Sequence, residues 1–286
     1  MKEFEDKVSV ITGAASGIGF GIAEKCAREG MKVVLADIEV SALENAESML
    51  KALGTETLAV PTDVSNGREV EALADATYDT FGEVNLLFNN AGVSVVGSLW
   101  ECTEADWKWV LDVNLWGVIH GIRVFVPRML EQQVDGHIVN TASGAGFLSG
   151  PYFGIYQVTK HGVVTLSETL YHELYLIKSK LKVSVLCPGY VKTRACDAER
   201  NRPSRLANLE EAVLDKEVQE FKEEVDSAVE TGMSPSTLAD IVFDAIRNEK
   251  FYILPGILPE YETSIRTRME EILQERNPEL LEELLK

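Results

Sequence analysis

The residues best suited to chemistry stand four apart: Tyr156 and Lys160, in the run Tyr156-Gln157-Val158-Thr159-Lys160, inside a segment of helical period. On a helix that spacing puts both on one face, one turn apart. A free tyrosine has a pKa of about 10, and an adjacent ammonium favours the phenolate and draws the value down, so the pair can act as a proton-transferring acid or base. Such pairs also occur on ordinary solvated helices, and this one gains meaning from its company. Ser143 lies 13 residues upstream of Tyr156, just after an apolar run. Asn114 sits in a helical stretch that it suits poorly, because its side chain competes for backbone hydrogen bonds.

A second constellation would bind and not react. Val8–Thr12 ends in Thr12-Gly13-Ala14-Ala15-Ser16-Gly17-Ile18-Gly19, and a helical stretch, Phe20–Arg28, follows. In that context Gly13 allows a tight turn, Gly17 lets backbone approach a pyrophosphate, and Gly19 lets helix and strand pack closely, while helix amides face the phosphates. The spacing is not the common G-x-G-x-x-G, so on glycines alone an ordinary turn remains open. Asp37 closes the next strand 18 residues beyond Gly19, where its carboxylate could accept the adenosine ribose hydroxyls or simply cap the following helix. No Arg or Lys stands among Ala14, Ala15, Ser16 or Ile38 to welcome a 2'-phosphate, which favours NAD over NADP.

The elements that must position these residues alternate. Val8–Thr12, Lys32–Asp37, Thr57–Val60, Val84–Asn89, His137–Thr141 and Val183–Cys187 are short β-branched runs expected as strands. Between them lie helices with one apolar face: Leu43, Ala46, Leu50 and Leu53 in one, Val70, Leu73, Ala74, Thr77 and Phe81 in another. Apolar strands separated by helices imply parallel pairing with both sheet faces covered, a Rossmann-type doubly wound α/β fold.

Composition narrows the partners. The chain has 286 residues, 45% hydrophobic and 26% charged, enough for one substantial core. A net charge of −19 repels nucleic acid and anionic lipid, so neither is expected as a partner. The charged start Met1–Lys7 leads into an apolar run too short for a signal peptide or a membrane span, and a cytoplasmic location is expected. Cys26, Cys102, Cys187 and Cys196 lack metal-ligand spacing and read as reduced thiols within core elements, and no metal is expected. His120, His137, His161 and His172 assemble no Ser-His-Asp or metal-like set and read as structural.

Over roughly positions 7 to 193 the chain resembles the short-chain dehydrogenase/reductase family. The resemblance rests on the Thr12–Gly19 loop, Asp63-Val64 after the third strand, Asn89-Asn90-Ala91-Gly92 after the fourth, Asn114, Ser143, Tyr156 with Lys160, Pro188-Gly189 and Thr193. It implies an NAD-dependent oxidoreductase interconverting a secondary alcohol and a ketone. Asn114, Ser143, Tyr156 and Lys160 would then be catalytic. Ser143 would hold the substrate oxygen beside Tyr156, and Lys160 the nicotinamide ribose. Asn114 would open its helix to a water linking Lys160 to solvent. Cofactor contacts would come from Gly13, Ser16, Gly17, Ile18, Gly19, Asp37, Asp63, Val64, Asn90, Ala91, Gly92, Pro188, Gly189, Val191 and Thr193, with Tyr156 and Lys160. Asp63 and Val64 would meet the adenine, Asn90 would brace the central strand, and Thr193 would touch the carboxamide. An NADP-dependent carbonyl reductase and a non-catalytic NAD-binding scaffold are the alternatives. The glycine spacing and the short C-terminal region speak against the related nucleotide-sugar epimerases and dehydratases.

Beyond position 193 motifs are absent. Val93–Val96, Phe147, Leu148, Tyr152, Phe153, Tyr190 and Val191 are candidate pocket residues and suggest a hydrophobic or aromatic small-molecule substrate. Residues 1–193 are expected to form the NAD-binding and catalytic core and 194–233 an inserted substrate lid. Residues 234–286 would supply a last core helix, capped by Ser234 with Pro235 in its first turn, a strand, and a helical extension. Within the insertion Leu214, Val218, Phe221, Val225 and Ala228 share one helical face, with Glu211, Glu220, Glu223, Glu224 and Asp226 elsewhere. The polar run Arg200–Arg205 is the expected hinge, and plain packing of the helix on the domain is the alternative. The chain should form a homodimer or homotetramer, although its acidic end, Glu260–Lys286, is unlike the Gly-rich tail of family tetramers.

Overall fold

Alternate residues of each strand enter opposite cores, and that alternation defines the architecture. In the computed structural model, which describes residues 1–208, 214–256 and 259–278, seven strands form one parallel sheet. They are β1 Val8–Thr12, β2 Lys32–Asp37, β3 Thr57–Pro61, β4 Leu86–Asn89, β5 Gly136–Thr141, β6 Leu181–Leu186 and β7 Tyr252–Ile253, in the order β3-β2-β1-β4-β5-β6-β7. Ile11, Val33, Leu35 and Phe88 point to one side, where α1 (Gly17–Arg28), α2 (Val40–Ala52) and α8 (Pro235–Arg247) bring Ile22, Leu50 and Phe243. Val10, Val34, Ala36 and Leu87 point to the other, against α3 (Gly67–Phe81), α5 (Gly117–Glu131) and α6 (Gly154–Leu176). Two buried faces explain why these strands read as unbroken apolar runs. Leu53 falls one residue beyond α2 and is 53% exposed, so it does not share the face of Leu43, Ala46 and Leu50.

The helix α4 (Glu104–Leu111) runs through a π turn, Asp112–Trp116, into α5. This stretch, Glu104–Glu131, is long and apolar enough by composition to cross a membrane. Within it Trp109, Val110, Phe125 and Met129 are buried in the core, whereas Trp116 is 47% exposed.

After β6 the chain makes its long excursion. A backbone bridge, Met233 N to Tyr190 O (3.0 Å) and Lys192 N to Met233 O (2.9 Å), closes the neck where it leaves and returns. Inside lie short 3₁₀ turns, Ala195–Asn201 and Ser204–Leu206, and α7, Lys216–Glu230. Val218 is buried and Phe221 and Val225 half-buried, while Glu220, Glu223 and Glu224 are exposed, as the amphipathic pattern implies. Glu211 lies outside the described residues, as do 279–286 of the C-terminal extension, of which α9 covers Pro259–Leu273.

The run Arg200–Arg205 is no loose hinge. Arg202 pairs with Asp106 at 2.8 Å, both side chains 6% exposed, and its guanidinium lies 4.3 Å from the Trp109 ring centre. Arg200 and Asn201 are tied to Glu39. Cys102 and Cys196 also depart from expectation, half-buried and exposed instead of sitting in the core.

Candidate active site

In an open doubly wound sheet, ligands sit outside the carboxyl ends of the strands where strand order reverses, here between β1 and β4. The cleft at that point, about 330 Å³, is lined by every residue expected to meet cofactor or substrate oxygen, Gly19 and Asn114 excepted. Those two stand behind its wall.

The glycines behave as their spacing requires. Gly13 has φ +67 and Gly17 φ +55, both left-handed. A Cβ on Gly13 would come within 2.9 Å of the Ala91 Cα, and one on Gly19 would collide with the Gly13 carbonyl. Ser16 stands at the N-cap of α1 without a side-chain capping bond, so the first-turn amides open into the cleft. Thr12 Oγ1 accepts the amides of Asn90 (2.9 Å) and Ala91 (3.2 Å), and Asn90 Nδ2 donates to the Thr12 carbonyl (2.9 Å), stitching the ends of β1 and β4. Asp37 accepts the amides of Ala15 (2.9 Å) and Glu39 (3.0 Å). It braces the glycine loop and is not the N-cap of α2, which is Glu39. Burial raises the Asp37 pKa, against the pull of those amides.

At the other end, Ser143 and Tyr156 line the cleft together, with the Ser143 hydroxyl placed to favour the phenolate. The Tyr156 ring stacks on Phe153 at 4.5 Å. Lys160 Nζ lies 5.3 Å from the Tyr156 ring centre and donates to the Thr141 carbonyl at 2.9 Å. Sequence spacing implied that this cation would draw the Tyr156 pKa down. Burial prevails: it pushes Tyr156 up to about 12, against the pull of the Ser143 hydroxyl, and pulls Lys160 down to about 8.

Asn114 occupies the π turn and is fully buried. Its side chain clamps Val93, accepting from the amide (2.8 Å) and donating to the carbonyl (2.9 Å), and also donates to Thr159 Oγ1 (3.2 Å). A Cβ on Gly92 would lie 3.5 Å from Asn114 Oδ1 and 3.7 Å from Lys160 Nζ, so this clamp sets the wall beside Lys160. His137, bonded to Ser184 at 2.7 Å and driven down to about 3 by burial, is a neutral core residue.

Of the candidate pocket residues, Val93, Ser94, Leu148, Phe153, Tyr190 and Val191 line the cleft, and Val95, Val96, Phe147 and Tyr152 do not. Phe147 packs on Tyr252 (6.3 Å between ring centres), and Tyr152, at φ +63, packs on Phe221 (5.7 Å). Sequence reasoning missed Glu39, Trp109, Gln157, Arg200 and Tyr261. Tyr261 reaches the cleft from α9 and lies beside Tyr190 there. No local motif marks these residues.

Comparison with known proteins agrees with this geometry. Residues 7–203 match the short chain dehydrogenase family. A CLA biosynthesis dehydrogenase/reductase of Lactiplantibacillus plantarum is 33% identical over 284 residues, 98% of each chain. A C alpha-dehydrogenase of a Sphingobium species is 32% identical, over 97% of this chain and 89% of its own. The crystal structure of a short chain dehydrogenase/reductase from Burkholderia phymatum in complex with NAD superposes with a TM-score of 0.93, at 48% identity and 98% coverage of both chains. With its parallel sheet, its glycine loop and the Ser143, Tyr156 and Lys160 group at one cleft, the chain belongs to the short-chain dehydrogenase/reductase family of oxidoreductases.

Proposed function

We propose that the chain is an NAD-dependent dehydrogenase that interconverts a secondary alcohol and a ketone, with Tyr156 as general acid and base. The observation that carries this is the Ser143–Tyr156 hydroxyl pair, beside Lys160, at one end of a cleft whose other end holds Asp37 and the glycine loop. The cleft suits a dinucleotide: its left-handed glycines leave backbone where a Cβ would intrude, and α1 presents unpaired amides. Gly13, Gly17, the α1 amides and Asp37 would hold the adenosine and pyrophosphate, and Lys160 the second ribose.

Bound cofactor would supply the hydride acceptor as NAD+ in oxidation and the hydride donor as NADH in reduction. In oxidation Tyr156 Oη takes the substrate hydroxyl proton while Ser143 Oγ holds the same oxygen. The Lys160 cation, 5.3 Å from the phenol ring centre, favours the phenolate that burial opposes. Asn114 fixes the Gly92–Val93 wall against which these groups are set.

NAD is favoured over NADP because Asp37 and Glu39 place two carboxylates at the ribose end. The nearby cations, Arg200 and Arg194, are already engaged by Glu39 and Asp197. The substrate end is apolar and aromatic: Phe153, Phe221, Val225 and Val229 face it, with Tyr190 and Tyr261 supplying hydroxyls. A hydrophobic or aromatic secondary alcohol fits this wall, and α7 acts as its lid, keeping water from the reacting atoms.

The test is NADH absorbance with a panel of secondary alcohols, NAD against NADP. Tyr156→Phe should lower kcat by about 10²–10⁴-fold with NADH affinity preserved. A Phe variant with near-normal kcat sinks the mechanism. Wild-type protein that binds NADH and turns over no alcohol or ketone is the scaffold instead.

A further inference from the structure

The segment after β6 does not stay on its own side of the cleft. Thr193 lies over the glycine loop, its Cγ2 only 3.0 Å from where a Gly17 Cβ would sit. Seven residues on, the chain reaches the end of β2. There Arg200 Nε and Nη2 each lie 2.9 Å from Glu39 Oε1, Asn201 Nδ2 donates to the same oxygen at 3.0 Å, and Arg194 Nη1 lies 3.8 Å from Oε2. β6 and β2 are separated in the sheet by β5, β4 and β1, so a link between their ends must pass over the crevice, a span of about 19 Å. Arg194, Arg200 and Asn201 all line that cleft, together with Gly13, Asp37 and Asn90. The segment is a strap across the place where a dinucleotide would lie.

Its two ends are held differently. Downstream, Arg202 is buried against Asp106 and Trp109, and Asn208 Nδ2 also donates to Asp106 at 3.1 Å. Breaking a buried pair leaves an uncompensated charge, so this anchor stays shut. The Arg200 and Glu39 side chains are 20% and 23% exposed, and water can replace either partner as the pair opens. Within the strap, Arg200 Nη1 donates to the Arg194 carbonyl (2.9 Å), so the same guanidinium that grips Glu39 also holds the turn together.

We infer that Glu39, Arg200 and Asn201 form a latch that closes the strap over the bound dinucleotide and sets the rate at which reduced cofactor leaves. Glu39 and Arg200 act as positioning residues and touch no reacting atom. The inference rests on the dinucleotide-binding reading above. It makes a distinctive demand: the effects of changing Glu39 and Arg200 must be coupled and less than multiplicative, because the two residues share one ion pair.

The experiment uses the full chain loaded with NADH and chased with excess NAD in a stopped-flow fluorimeter. Glu39→Gln and Arg200→Met should each speed NADH release about tenfold, and the double variant should fall well short of the product of the two effects. Circular dichroism melting confirms that the variants are folded, and Glu39→Gln, the smaller change, carries the test alone if Arg200→Met fails to fold. Release at the wild-type rate in Glu39→Gln overturns the latch. So do effects that multiply in the double variant, because Glu39 would then contact the cofactor independently of Arg200. Wild-type protein that fails to bind NADH at all overturns the cofactor reading itself, a different result from unaltered release.

Discussion

Two cations are buried close together, Lys160 in the cleft wall and Arg202 against the Trp109 ring that lines it, and the fold treats them in opposite ways. Arg202, where the strap meets α4, has Asp106 and Glu199 as partners and Trp109 beneath it; burial alone would lower its pKa, but the carboxylates outweigh that and hold it raised. Lys160, on α6, is 3% exposed, has a neutral carbonyl as its hydrogen-bond partner, and is pulled down to about 8. The acids show the same division. Burial would raise Glu39, but Asn201 and Arg200 reverse this, whereas Asp37 has only backbone amides and stays raised. Compensated charges build the strap, and uncompensated ones are left facing the cleft, where a ligand can complete them.

The strongest way to break this contrast is Lys160→Met. It should lower kcat by about 10²–10⁴-fold and at the same time raise the melting temperature of the ligand-free protein, because an unpaired buried ammonium is removed. The sign with pH follows from a folded pKa of about 8 against 10.5 in the open chain. Below pH 8 the folded protein carries the full penalty. Between pH 8 and 10.5 only the unfolded chain still binds the proton, so wild-type stability recovers and the Met advantage shrinks. A Met variant that melts lower than wild type at pH 7 means Lys160 is structural.

Arg202→Met should do the reverse, lowering stability by about 3–5 kcal/mol by stranding Asp106. Asp106→Asn in the same chain should recover part of that loss. Urea melts that leave Arg202→Met within error of wild type would place this pair among surface ornaments. Next in size, Asp37→Ser with Ile38→Arg should move the NADP to NAD ratio of kcat/KM about 10–100-fold towards NADP, by replacing an uncompensated anion with a phosphate partner. An unmoved ratio would show that Asp37 serves the glycine loop alone. Smallest, Phe221→Ala removes a neutral wall and should raise KM for the best alcohol about fivefold with NAD affinity unchanged. An unchanged KM reduces α7 from lid to packing.

What was legible in the sequence is what local spacing encodes. The strands announced themselves as apolar runs because both sheet faces are covered, and Gly13, Gly17 and Gly19 carry their geometry in residue type. The Tyr156–Lys160 pair was legible as a pair, but not its pKa values, because burial is a property of the surroundings. Past Thr193 local spacing gives out. Arg200–Arg205 reads as a polar hinge because the partners that hold it, Glu39 and Asp106, lie far upstream. Tyr261 was invisible for the same reason: its contact is with Tyr190, brought near only by the fold.

The bridge between Tyr190, Val191, Lys192 and Met233 has a consequence for how such a chain can diversify. It pins together the exit and re-entry of the excursion, with Gly232 packed so tightly that a Cβ would come within 2.7 Å of the Tyr190 carbonyl carbon. Once a loop's ends are fixed, its length matters little: doubling it adds only about 0.6 kcal/mol of closure entropy. Strap and α7 therefore form a cassette, open to insertion, deletion or exchange while the sheet, the glycine loop and the Ser143 and Tyr156 hydroxyls stay as they are. Grafting a relative's excursion between Lys192 and Gly232 would be the natural route to a new substrate range on an unchanged hydride-transfer floor.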